Sequence, residues 1–257
     1  MIITRPRDWA RIRANLDEIG AKRVFIMGCG ECATVSHTGG EPEILQAKTA
    51  LEQQGREVTG WSVGEVACHS GGQRLEVRKH HGEIESADAV LVLACGAGVQ
   101  TMADAVSKPV FPGLESVFLG NVVRHGQFEE RCQMCGDCVL DKTAGICPVT
   151  TCPKGLLNGP CGGMWMGKCE VLTDSDCVHV RIRRRLAEQG RAKNTAPLPP
   201  KDYSKKLKPG KLDLRDRALG RNRAETGVDA TGTETGVDAN GAGTGADADG
   251  AGTGSRS

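Results

Sequence analysis

The sequence has no apolar run long enough to cross a bilayer. Its longest, Val24–Met27 and Ala89–Ala94, fall far short of the ~20 residues a spanning helix needs. The opening Met1-Ile-Ile-Thr-Arg-Pro-Arg-Asp-Trp-Ala carries neither the apolar core nor the small-residue cleavage site of a secretory signal, so a cytoplasmic protein is expected, with no membrane partner. Aromatic residues are only 3% of the 257, with one Tyr. That thin supply of core material lies mostly before residue 130, which predicts one ordinary core and one region stabilised by other means. Nucleotide-binding signatures are missing too. There is no P-loop, and Gly28-Cys29-Gly30 starts like a dinucleotide fingerprint but has Ala33 where the third glycine belongs. The alternating strands and helices of an eightfold barrel, which alone takes ~250 residues, are absent.

What the chain does have is twelve cysteines. An even number could pair fully as disulfides. In a chain without export signals, however, they are better read as metal ligands.

Up to about residue 125 the pattern alternates. Trp9, Ile12, Leu16 and Ile19 give a helix over 8–19; Arg23–Met27 is a short strand; Ile44, Leu45, Ala47 and Leu51 mark a helix over 41–54. Val58–Val63 and Ala87–Ala94 are further strands, and Val99–Ala105 starts a helix. Strands alternating with helices predict an α/β fold, a small Rossmann-like or flavodoxin-like parallel sheet, over residues 1–128. Residues 129–186 hold eight cysteines among Gly and Pro with few large apolar residues. They are expected to form a Cys-rich module that draws its folding energy from metal. Residues 187–223 read as a basic linker: from Arg181 to Arg223 there are 15 Lys or Arg against 4 Asp or Glu. One Tyr and no Phe or Trp in that segment argue against base stacking, and so against nucleic acid as a partner. Residues 224–257 are Gly, Ala, Thr and Asp with Glu-Thr-Gly-Val-Asp-Ala at 225 and 234. That composition predicts a disordered tail.

The cysteines fall into constellations. Cys29 and Cys32 follow the first predicted strand, Cys68 the second and Cys95 the third. In an open parallel sheet those positions converge at the ligand-binding edge, so the four thiols suit a tetrahedral zinc or a four-iron cluster. Glycines 28, 30, 96 and 98 allow tight turns that aim N–H groups at the sulfurs. His37, His69, His80 and His81 lie near these segments and receive no role. In the second region Cys132-Gln-Met-Cys135-Gly-Asp-Cys138 sets three thiolates on one loop with ferredoxin-like spacing, and Cys147-Pro and Cys152-Pro follow, then Cys161, Cys169 and Cys177. The eight-residue gap after Cys138 leaves the partition of ligands open, and spaced Cys pairs also build zinc ribbons.

The run Arg131-Cys-Gln-Met-Cys-Gly-Asp-Cys-Val-Leu140, then Gly-Ile-Cys-Pro-Val-Thr, Lys-Gly-Leu-Leu-Asn-Gly-Pro-Cys-Gly-Gly and Gly-Lys-Cys-Glu-Val, resembles the methylenetetrahydrofolate reductase C-terminal family. Upstream, Gly28-Cys-Gly-Glu-Cys-Ala-Thr-Val, Thr38-Gly-Gly-Glu41 and Ala94-Cys-Gly-Ala-Gly-Val-Gln100 are similar to the family's N-terminal part, so the resemblance spans roughly 8–185. It implies a small subunit beside a flavin-bearing methylenetetrahydrofolate reductase. Such a subunit carries iron–sulfur clusters, of the 4Fe-4S kind, or zinc, and passes electrons to the partner's flavin from some electron-donor subunit. It also implies that Cys29, Cys32, Cys68 and Cys95 hold one site, and the cysteines from Cys132 to Cys177 the other site or sites. Relatives often have a further cysteine where Ser36 stands, a departure that bears on the first site. The alternative expectation is a structural zinc scaffold subunit without redox work. Either way the chain is expected to be a non-catalytic partner of an oxidoreductase in one-carbon metabolism.

Overall fold

A computed structural model describes residues 1–193, 196–206 and 209–212. The chain divides into two compact units, Met1–Lys206 and Leu207–Ser257, and every element below belongs to the first. The tail expected over 224–257 lies outside the described residues, as does most of the basic segment after 206.

The chain opens with strand β1 (Ile2–Pro6) and helix α1 (Trp9–Glu18), whose first turn is capped by the Asp8 carboxylate accepting from the Ala10 N–H at 2.9 Å. The α/β layer then runs β2 (Arg23–Cys29), α2 (Cys32–Val35), α3 (Glu41–Glu52), β3 (Glu57–Gly64), α4 (Ser70–Lys79), α5 (His81–Ser86), β4 (Ala89–Leu93), α6 (Gly96–Ala103) and β5 (Val110–Pro112). The four strands β2 to β5 are parallel, in the order β3-β2-β4-β5. The expected parallel sheet of an α/β fold is thus present. β2 and β4 are its centre: every residue of β4 is buried, and of β2 only Arg23 is exposed. Being covered on both faces, they carry the continuous apolar runs Val24-Phe-Ile-Met27 and Ala89-Val-Leu-Val-Leu93 rather than an alternation. Helices α1 and α3 bury Ile12 and Leu16, and Ile44, Ala47 and Leu51, into the same core. The chain leaves β2 for β3 on one side and returns to β4 on the other. The crevice beyond the carboxyl ends of β2 and β4 is therefore the topological switch point of the sheet.

A second sheet is antiparallel, β1-β6-β7, with β6 at Leu114–Arg124 and β7 at Gln127–Cys132. Gly126, at φ 72°, makes the turn between β6 and β7. This hairpin leads the chain out of the α/β layer and ends on Cys132 itself. Beyond it, regular structure shrinks to α7 (Pro148–Thr151), α8 (Val178–Glu188) and a 3-10 turn at Tyr203–Lys205. Among the described residues the one apolar cluster there is Ala144 with Val178, Ile182 and Leu186, the last three being successive turns of one α8 face. No helix among the described residues is long and apolar enough to cross a membrane.

Candidate metal centres

All twelve cysteines are free thiols. The fold brings Cys29, Cys32, Cys68 and Cys95 to one edge of the parallel sheet. Cys29 is the last residue of β2, Cys32 the first of α2, Cys68 sits in the turn between β3 and α4, and Cys95 caps the start of α6. Cys68 is the most open of the four, yet shielding of its sulfur pushes its thiol up, and the proximity of Cys95, Cys29 and Cys32 pushes it the same way. Cys68 thus lies within electrostatic reach of the other three at the switch point. Their loops are fastened by backbone bonds: Cys29 N–H donates to Gly39 O at 3.0 Å and Gly30 N–H to Gly64 O at 2.8 Å. The approach is too close for side chains. A Cβ on Gly39 would lie 2.1 Å from the Leu93 carbonyl oxygen, and one on Gly28 would lie 2.4 Å from Gly39 O. At the C-terminal end of α2, Ser36 keeps a buried Oγ with no hydrogen-bond partner.

The second group sits on the loop after β7. Met134 (φ 54°) and Gly136 (φ 78°) are left-handed there, and the Met134 N–H donates to Cys132 Sγ at 3.2 Å. An amide donated to sulfur is the kind of contact that tunes a thiolate-bound metal group. Burial raises the Cys135 thiol, but the Asp137 backbone and the Lys201 ammonium outweigh it and leave the thiol below its ordinary value. Cys138 is exposed, and Cys147 caps the start of α7 with its Sγ 3.4 Å from Thr150 Oγ1.

The third group was not separable from the second by spacing. Cys152, Cys161, Cys169 and Cys177 line one cavity of about 280 Å³. Cys152 ends α7 and Cys177 caps α8, while Cys169 and Cys177 are positioned by backbone bonds to Ser175 O (2.9 Å) and Gly167 O (2.8 Å). Cys161 Sγ points at Glu170 Oε2 at 3.6 Å, and Lys154, paired with Glu170, holds that carboxylate below its ordinary range. His179, which sequence reasoning missed, also lines the cavity. It is buried, its Nε2 has no hydrogen-bond partner, and burial lowers its pKa. Nothing in sequence distinguished it from other histidines. Its ring lies against Gly159, where a Cβ would sit 2.3 Å from its Cδ2. His37, His69, His80 and His81 stay outside these groups; His69 caps α4, its Nδ1 accepting from Gly72 N–H at 2.9 Å, and His80 pairs with Glu83.

Do these residues fit the metal groups the sequence implies? Among the described residues, no three His, Cys, Asp or Glu side chains are drawn together as a ready metal site. The donor chemistry does fit. Cys152, Cys161, Cys169 and Cys177 line their cavity beside the carboxylates of Glu129, Glu130, Glu170 and Asp176, and it is the soft thiols that suit zinc or iron–sulfur clusters rather than calcium or magnesium. Ser36 Oγ, Thr59 Oγ1, Gln73 Oε1 and His179 Nε2 are buried without a hydrogen-bond partner, and of these His179 lines the cavity of Cys152, Cys161, Cys169 and Cys177.

A family model described as Methylene-tetrahydrofolate reductase C terminal matches residues 111–204. No curated protein matches the chain. A solved structure, an extracellular ligand-binding receptor from Verminephrobacter eiseniae ef01-2, aligns at 16% identity over 40% of this chain and 28% of its own, with a TM-score of 0.27. A likeness that slight carries no argument.

Proposed function

We propose, from the match of residues 111–204 to a family model described as Methylene-tetrahydrofolate reductase C terminal, that the chain is the metal-bearing accessory subunit of a methylenetetrahydrofolate reductase. In this reading it passes electrons to the flavin of a partner subunit. The observation that carries the proposal is the placement of the family match: it contains eight of the twelve cysteines, those from Cys132 to Cys177. Three quartets of ligands are assigned: Cys29, Cys32, Cys68 and Cys95; Cys132, Cys135, Cys138 and Cys147; and Cys152, Cys161, Cys169 and Cys177. Bound iron–sulfur clusters would supply one-electron chemistry at potentials set by charge, hydrogen bonds to sulfur and exposure. The chain's own residues do the rest. The sheet edge fixes the first quartet, the left-handed Met134 turns its amide toward Cys132, and the α8 face holds Cys177 and His179 at the cavity.

The small cluster of Ala144, Val178, Ile182 and Leu186 supports a second reading. A module with so little apolar burial fits one that folds around metal whatever its redox role, so a zinc scaffold satisfies the same residues. The test is the iron, sulfide and zinc content of anaerobically purified protein. It is followed by flavin bleaching from a low-potential donor in the presence of the reductase subunit. Iron and sulfide, with bleaching lost in Cys132→Ser but association retained, support electron transfer. Zinc alone, or bleaching at the wild-type rate by a Cys132→Ser protein that has lost its cluster, refutes it.

A further inference from the structure

The residues after α8 read from their charge as a linker, yet residues 196–206 are tied back along the Cys-rich module. Asn158 clamps them. Its Nδ2 donates to Leu198 O at 2.9 Å and its Oδ1 accepts from Leu198 N–H at 2.7 Å, a two-bond amide clasp inside the Asn-Gly-Pro-Cys motif. Further on, the segment meets the loop of Cys132, Cys135 and Cys138. The Lys201 ammonium donates to Asp137 O, the Asp202 N–H donates to Asp137 Oδ2 at 3.1 Å, and Lys206 Nζ donates to Gln133 O at 3.1 Å. Two lysines therefore take carbonyls of the loop whose Met134 amide donates to Cys132 Sγ. The Cys135 thiol meets the same Asp137 O, at 3.5 Å, so the ammonium and the thiol share one carbonyl.

We propose that residues 196–206 form a strap over the Cys132–Cys138 metal site, anchored by Asn158, and that Lys201 is a positioning residue that sets the charge at that site. The inference rests on the metal reading above. Several thiolates around one metal group accumulate negative charge, and a fixed cation beside one of them stabilises the more reduced, more negative state. A neutral side chain of similar length keeps a donor for Asp137 O but removes that charge, whereas arginine keeps both.

The experiment compares the metal-loaded full chain with its Lys201→Gln, Lys201→Arg and Asn158→Ala variants. In an iron-bearing protein, a spectroscopically followed redox titration is expected to show the midpoint of one cluster moved to lower potential in Lys201→Gln and restored in Lys201→Arg. In a zinc-bearing protein, removal of zinc by 4-(2-pyridylazo)resorcinol is expected to be faster in Lys201→Gln and restored in Lys201→Arg. Asn158→Ala, losing the paired clasp, should let trypsin cut after Lys201 and Lys206 roughly tenfold faster while metal is retained. A wild-type chain that holds no metal overturns both readings. A metal-loaded wild type whose potential, or zinc-release rate, is unchanged in Lys201→Gln overturns this one alone. So does a trypsin rate unmoved in Asn158→Ala.

Discussion

Gly39→Ala adds one methyl group where three cysteine-bearing segments meet. The new Cβ would lie 2.1 Å from the Leu93 carbonyl oxygen and 2.8 Å from Ala33 Cβ. The first obstacle is backbone at the end of β4, two residues before Cys95, and no rotamer change relieves it. Gly39 does not need a left-handed backbone, so the cost is steric rather than conformational. Overpacking in a well-packed site costs about 1–3 kcal/mol, and an immovable obstacle places this change near about 3. For a domain of this size that is roughly 6–12 °C in Tm. Relief by displacement separates Gly39 from Leu93, and with it loosens the Cys29 N–H to Gly39 O bond that aligns β2 with the loop.

The assay is urea or thermal denaturation followed by circular dichroism, with metal content measured on the same samples. Gly82→Ala is the control. Gly82 lies exposed in α5 with nothing within 4 Å of its Cβ position, so alanine there should stabilise by about 0.5–1 kcal/mol. Gly39→Ala is expected to destabilise strongly and to lose the metal of the first quartet. A Gly39→Ala protein within about 0.5 kcal/mol of wild type, with full metal content, would refute the claim that close backbone packing organises this edge.

Stripping the protein of metal should collapse hydrogen-exchange protection over α7 and α8 while β2 and β4 stay protected, because only the sheet has a large core of its own; equal loss in both regions would count against a metal-folded module. Cys29→Ser should lose the metal of one site and keep that of the others, as read by metal content per chain, since the first quartet sits on different elements from the rest; loss of all metal would show the sites to be one. Asp88 accepts from the Arg23 side chain at 2.8 Å and from the Arg23 and Lys22 N–H groups, which lowers its pKa from 3.8 to about 2. A depressed carboxylate stabilises the fold above its unfolded pKa and loses that contribution as pH falls through the folded one. Asp88→Asn should therefore cost roughly 1 kcal/mol at pH 7, the shift's face value being cut by solvent screening, and progressively less from pH 4 to pH 2 in urea titrations.

The parallel sheet was legible because its strands are buried on both faces. Val24–Met27 and Ala89–Leu93 are apolar without interruption, and the amphipathic helices at Trp9–Glu18 and Glu41–Glu52 announce themselves by their period. The antiparallel sheet was not. Strand β6 runs for eleven residues with only Leu114 buried, and Val117, Val122 and Val123 exposed, so no alternation marks a buried face. Strand β1 lies beside it only because the fold pairs Ile2 with Leu119 and Pro6 with Leu114, a long-range pairing no local pattern encodes. The position of Cys29, Cys32, Cys68 and Cys95 at one sheet edge could be read from sequence because sheet topology dictates where strand ends go. The split of the other eight depends on loop paths that follow no period.

The strap escaped notice for a related reason. Sequence reading recognises segments by what they bury, and 196–206 buries little. Its attachments are an asparagine amide on a backbone pair and lysine ammoniums on carbonyls, residues whose composition alone spells linker. Yet polar attachments suit a place beside thiolate ligands. An apolar strap there would raise the cost of the sulfur charge, whereas ammonium groups offset it. The same reasoning explains why the module has so small an apolar cluster. Residues that must present amides, cations and sulfurs toward a charged group cannot also present hydrocarbon. On the proposed reading its order is expected to depend on the group it binds, and the adjoining sheet, with its larger core, to stay folded without it.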